Sequence, residues 1–175
     1  MIYLASQSPR RRELLDQINV RYQLMAIEID ESPLPNEKPH DYVVRMARLK
    51  AAAGWSDDLH KPVLSADTAV ILDDQILGKP ADREDFLQTM QHLSGRTHQV
   101  MTAVAMLGPN QPLQHRLSIS EVDFRPVTAS EAQRYWASGE PKDKAGGYAV
   151  QGLAAMFIEQ IRGSYSAVMG LPLFE

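Results

Sequence analysis

The chain has 175 residues, 44% of them hydrophobic and 23% charged, with a formal net charge of −4. That length suits one domain with a real core, and the mildly acidic balance excludes a general nucleic-acid or anionic-membrane binder. There is no cysteine, which removes disulfides, thiol nucleophiles and thiolate metal sites together.

In chain order, "IYLA" at Ile2–Ala5 reads as a short buried strand. Ser8 then suits a helix N-cap and Pro9 the first helical position, with Leu14, Leu15 and Ile18 as the apolar face. Val20–Ile27 reads as a second strand and the proline-rich stretch Glu28–Asp41 as a loop. Tyr42–Trp55 is helical by the stripe Val43, Met46, Ala47, Ala51. Pro62–Pro80 reads as a strand, a turn at Asp73–Asp74 and a short return strand. Asp82 caps a helix with Phe86, Leu87, Met90 and Leu93 inside, stopped by Gly95.

His98–Leu107 and Leu113–Phe124 form two long strands joined by "GPNQP". Thr128 with Glu131 is a capping box for a helix to about Ser138. Ala154–Ile161 reads as a late strand, and Gly163–Ser164 opens a last short helix. The order predicts a mixed α/β fold, with parallel strands, helices on both faces and ligand sites at loops beyond strand ends. No run is signal-like or long enough for a membrane span, so a cytoplasmic protein without membrane or nucleic-acid partners is expected.

The first turn poses an electrostatic question. Arg10, Arg11 and Arg12 crowd a helix N-terminus whose dipole is already positive. Either a bound anion relieves them, with Ser6 and Ser8 adding donors, or they pair with a loop carboxylate such as Glu31. The spacing is that of neither a P-loop nor a dinucleotide fingerprint. Asp67 lies inside the apolar run "VLSADTAVIL", where a carboxylate must be paired, hydrogen-bonded or metal-bound. Lys50 falls on the inward stripe of its helix, either snorkelling or facing a site. Lys79 sits in a turn, and Arg96, Thr97 and His98 lie in a loop that could face a ligand, although a histidine opening a strand is more often a satisfied surface or core residue than a ligand. The glycines of "DKAGGYAVQG", Asp143–Gly152, imply close backbone approach, and Gln151 offers one donor and one acceptor to a planar ring. Basic groups, two helix starts, a buried Asp, the loop acid Glu31 and glycines are together what a nucleoside triphosphate and a divalent cation need.

"ASQSPRRRELL", "SADTAV", "LGKP", "SGRTHQVMTAV", "DKAGGYAVQG" and "IRGSYSAVMGLP" resemble, in order and spacing, the signature blocks of the Maf nucleotide pyrophosphatases. The resemblance spans the chain as a single Maf-like domain, residues 1–175. It implies a mixed, strongly bent sheet with two lobes around a central cleft, similar to the inosine triphosphate pyrophosphatases. It also implies hydrolysis of nucleoside triphosphates to monophosphate and pyrophosphate with a divalent cation, Mg²⁺ or Mn²⁺. Arg11, Thr68 and Gln151 match the branch acting on dTTP and UTP, with a 7-methyl-GTP or purine-directed branch and a non-catalytic nucleotide-binding regulator as the competing readings.

Carried over by resemblance, Asp67 is the proton acceptor, Ser6, Arg10 and Arg11 the phosphate loop, and Glu31, Lys50 and Lys79 charged cleft residues. Asp67 and Glu31 are the candidate metal ligands, Lys50 and Lys79 stabilise charge in the reaction, and Thr68 and Gln151 join the substrate-binding set. Relatives in this family continue into a further C-terminal helix beyond "GLPLFE", and a homodimer is an allowed assembly.

Overall fold

Seven strands in one sheet and five α-helices, twelve elements together, make up the framework of the chain. They begin with β1 (Ile2–Leu4), α1 (Pro9–Gln17), β2 (Tyr22–Leu24), α2 (Pro39–Ala53), β3 (Val63–Leu72) and β4 (Gln75–Leu77). There follow α3 (Arg83–Leu93), β5 (Thr97–Gly108), β6 (Gln111–Phe124), α4 (Ala129–Ala137), β7 (Ile158–Arg162) and α5 (Tyr165–Met169). The structure is a computed structural model describing residues 1–175. Its seven-stranded sheet has the order β2-β1-β3-β5-β6-β7, with β4 paired to β3.

The expected caps form: Asp82 accepts from the Asp85 N–H at 2.9 Å, and Thr128 with Glu131 makes the reciprocal capping box. Two strand extents need correction. The second strand is only Tyr22–Leu24, because β1 offers it just Ile2, Tyr3 and Leu4 to pair with. The parallel pairing expected of the βαβαβ start forms at β1–β2 and β1–β3, and the long strands β3, β5 and β6 run antiparallel to their neighbours. The tight β5–β6 turn permits nothing else, since a parallel pair needs a crossover. Finally, Leu153–Phe157 coils into a 3₁₀ turn that buries Ala154 and Phe157, so the last strand starts at Ile158.

Alternation along β3 divides the interior. Ala69 and Ile71, with Met101, Ala103 and Ala105 of β5, pack under Val43, Ala47 and Ala51 of α2. Small side chains bring α2 close enough for the Ser65 hydroxyl to donate to the Ala47 carbonyl at 2.5 Å. On the opposite face Ala66 joins Leu4, Leu14, Leu15 and Leu171, while Val70 and Leu72 join the larger cluster around Phe86, Phe124 and Phe157.

The two edges of β3 are unlike. β5 pairs with it from Val63 to Ile71. The other edge is shared, β1 covering Val63–Leu64 and β4 covering Val70–Leu72. Residues 65–69 between them have no neighbouring strand there, and the sheet opens at that gap.

His98 is core. It is 2% exposed, its ring meets Phe124 and Tyr148 edge-on, and its Nε2 lies 2.7 Å from the Tyr148 hydroxyl. Burial drives its pKa down to about 4, against a weak opposing pull from Asp123. The unfolded chain therefore binds a proton that the folded chain refuses between about pH 6.5 and 4. Stability is expected to fall by on the order of 3 kcal/mol as pH drops through that window. Denaturant melts at pH 7 and pH 4.5 check it, and His98→Phe should flatten that part of the pH dependence.

Candidate active site

The gap in the β3 edge opens onto a cleft of about 530 Å³. One wall is the N-terminal turn of α1. Ser8 starts that helix without a side-chain cap; its N–H donates instead to Ser6 Oγ at 3.2 Å, correcting the expected serine cap. The turn is thereby folded over Ser6, and Pro9 at the helix start removes one donor at no cost.

The arginines separate. Arg11 donates from Nη1 to Ser6 Oγ (2.9 Å), from Nε to the Gly170 carbonyl (2.8 Å) and from Nη2 to Thr68 Oγ1 (3.4 Å). Burial lowers its pKa to about 10, partly offset by the charge of Asp67, so it remains a cation at neutral pH. Arg10 lines the cleft without a carboxylate partner, while Arg12 lies outside the lining. None of the three forms an ion pair, so pairing with Glu31 is not what offsets this turn.

Across the gap stands Asp67, on the β3 face turned toward α2. Lys50 reaches it from α2, with Nζ 2.7 Å from Asp67 Oδ1 and 2.7 Å from Glu31 Oε1. The inward lysine and the buried aspartate thus account for each other. Burial raises the Asp67 pKa against the pull of Lys50 and Arg11. Burial also pushes Glu31 upward, but the Lys50 hydrogen bond and the charges of Lys50, Lys79 and Arg11 together hold it below the usual range. Asp67 Oδ2 makes no protein hydrogen bond and is left to the cleft.

The Glu31 loop is fastened from α2. Arg45 binds both oxygens of Glu37 at 2.6 Å and donates to the Ser32 carbonyl, and the Tyr42 hydroxyl donates to the Glu31 carbonyl at 3.0 Å. Lys79, just past β4, lines the cleft as an exposed cation with no ion pair.

Sequence reading missed Lys144 and Tyr42 as lining residues. Lys144 was hidden inside a stretch flagged for its glycines; its Nζ binds Asp143 and the Glu140 carbonyl, each at 2.7 Å. Tyr42 shares an i, i+4 row with Met46 and Lys50, which is the signal that could have found it. The glycines Gly146 and Gly147 do approach something closely, but it is the protein itself. Both have positive φ, and a Cβ on them would stand 2.9 Å from Val70 and 2.8 Å from Phe86. Gln151 is exposed on the turn after Val150; Val150 lines the cleft and Gln151 does not.

Around the opening, Arg10, Arg11, Lys50, Lys79 and Lys144 face Glu31, Asp67 and Asp143. A cationic excess is therefore concentrated on a chain of net charge −4, beside a helix N-terminus. This is a mixed α/β protein built around an anion-receiving cleft with a clamped carboxylate at its floor. A family model for Maf-like proteins matches residues 1–175, and the chain belongs to that family. It is 51% identical to a dTTP/UTP pyrophosphatase of Pseudoalteromonas translucida, over 99% of this chain and 92% of the relative. It is 53% identical to a dTTP/UTP pyrophosphatase of Alkalilimnicola ehrlichii, over 99% and 88%. Among solved structures, the Ham1 protein of Staphylococcus aureus aligns with a TM-score of 0.47 at 14% identity, over 70% of this chain and 71% of that one.

The donors present fit a divalent cation shared with a substrate. The Glu31 and Asp67 carboxylates converge on one point, the Lys50 ammonium, and no third carboxylate or histidine joins them. Mg²⁺ is commonly held by one or two carboxylates, with substrate phosphates and water completing the shell.

Proposed function

We infer that this protein hydrolyses dTTP and UTP to the monophosphate and pyrophosphate. The observation that carries the reading is the meeting, in one cleft, of unpaired cations with an aspartate held by lysine and open on its second oxygen. The near-full-length relatives named dTTP/UTP pyrophosphatase support the substrate choice. Arg11, Thr68 and Gln151, the residue types of that branch, are all present.

In this mechanism the triphosphate lies along the α1 turn, where Ser6, Arg10 and Arg11 bind its oxygens and relieve the crowded positive charge. Asp67 accepts a proton through Oδ2 from a water placed at the α-phosphorus. The water oxygen bonds to that phosphorus, the bond to the bridging oxygen breaks, and pyrophosphate departs. Lys50 keeps Asp67 oriented, while Lys79 and the arginines offset charge building on the equatorial and leaving oxygens. Held by Glu31 and Asp67, Mg²⁺ or Mn²⁺ would supply further charge neutralisation at the phosphate oxygens.

Pyrophosphate release from a panel of nucleoside triphosphates, with either metal and with chelator, tests the proposal. The expected outcome is metal-dependent release favouring dTTP and UTP, abolished by chelator. Release from purine nucleotides alone would overturn the substrate assignment, and binding without turnover would overturn the enzymatic one.

A further inference from the structure

The outer edge of β6 is open for most of its length. The Phe124 N–H bonds the Arg96 carbonyl, so even-numbered residues of β6 turn their main chain toward β5. That phase holds without a shift back to Gln114. His115, Leu117 and Ile119 therefore aim their N–H and C=O at the other edge. β7 covers that edge only from Glu121 to Phe124. Gly163 then closes against Ser120, where a Cβ on it would stand 3.0 Å from the Ser120 Cα. Between this point and the β5–β6 turn, Gln111–Ile119 has no neighbouring strand on its outer side. The one hydrogen bond onto its outward groups runs from Arg116 Nη1 to the His115 carbonyl, at 2.9 Å.

Long free edges are usually blunted by lysine, proline or a charge aimed at the open side. Here Pro112 lies at the turn end, and β6 contains no lysine. On the α2 face, Leu113 and Leu117 pack against the cluster under α2, and Ile119 beside them is 48% exposed. His115 sits in the same row, with Nδ1 3.3 Å from Arg48 Nη1. A half-covered apolar row beside unpaired main-chain groups is a surface that one more strand completes.

We propose that the strand is β6 of a second copy, paired antiparallel about a two-fold axis at His115. The fit of the strand to itself argues for this occupant. His115 is the midpoint of Gln111–Ile119, so this centre alone pairs the open stretch over its whole length. It sets Leu117 against Leu113 of the second copy on both sides of the axis, which joins the two α2 clusters into one apolar seam. On the opposite face Gln114 meets Arg116 of the copy. A register centred at Arg116 instead would place like charges directly opposite each other. The main chains of Leu113, His115 and Leu117 would exchange about six hydrogen bonds, within the range of roughly 5–15 in a typical interface. β3 lies two strands in from β6, so both clefts stay open.

The chain has no cysteine, so one introduced thiol reports the geometry. Residues opposed in a hydrogen-bonded pair have Cα atoms about 5.5 Å apart, within reach of a disulfide. His115→Cys is therefore expected to give a disulfide-linked dimer on mild oxidation. Ile119→Cys is not, because its two copies would lie roughly 27 Å apart along the seam. Sedimentation of the unmodified chain at about 100 μM is expected to show a dimer. Ile119→Lys charges the half-exposed row and should weaken association about tenfold or more, with the circular dichroism of the fold unchanged.

A monomer at that concentration would overturn the proposal and leave the edge to an extended segment of another protein. Cross-linking in Ile119→Cys but not in His115→Cys, or a dimer that Ile119→Lys leaves intact, would place the interface elsewhere and overturn it equally. None of these readouts depends on turnover, so the hydrolase reading stands or falls separately.

Discussion

Asp67→Asn is expected to lower kcat for dTTP by about 10³-fold, within the range set by loss of a positioned proton acceptor. The amide keeps the shape of the carboxylate and can accept the Lys50 hydrogen bond through its oxygen, now made by Asp67 Oδ1 at 2.7 Å. It cannot take a proton from water at the α-phosphorus. Burial already disfavours the charged form at this position, so neutralising it removes an electrostatic cost while leaving Lys50 its contact with Glu31. Steady-state kinetics and thermal melts on the same preparation check both halves. A variant that melts normally and keeps activity within tenfold of the parent would contradict the assignment.

Arg11→Ala is expected to raise the KM for nucleotide about a hundredfold and also to lower stability by about 2 kcal/mol. The double effect follows from where the guanidinium is used. It binds Ser6 on its own turn, Thr68 at the gap in β3 and the Gly170 carbonyl after α5, so it ties the first helix to the sheet and to the last loop. Its charge faces the cleft where a triphosphate would lie. Arg11→Lys should recover part of the binding loss and little of the stability, because a point charge cannot replace a planar fork with three acceptors. KM measurements and denaturant melts on both variants distinguish the two contributions. A KM unchanged in Arg11→Ala would remove Arg11 from the phosphate site.

Much of the fold was legible where local rules agree. The stripe of α2 and the caps of α3 and α4 are set by neighbours three and four residues away, and they form as expected. The length of β2 was not legible, because it is fixed by the three residues β1 offers rather than by its own apolar run. The apolar run Ala154–Ile161 reads as one strand, yet a 3₁₀ turn over Leu153–Phe157 buries Ala154 and Phe157, three residues apart, together.

The site divides similarly. An inward Lys50 and a buried Asp67 were conspicuous as misfits in their own elements, but only the tertiary structure makes them a pair. Arg10, Arg11 and Arg12 looked equivalent in sequence; helix rotation sends Arg12 away from the cleft. The free edge at Thr68 left no sequence signal, since it exists only because β1 ends and β4 begins on the same side of β3.

Hydrolysis of dTTP in H₂¹⁸O, followed by mass analysis of both products, tests the central claim most directly. Water attacking the α-phosphorus opposite Asp67 places one labelled oxygen in dTMP and none in pyrophosphate. Label in the pyrophosphate would mean attack at the β-phosphorus, and would contradict the placement of Asp67 and the phosphate loop together.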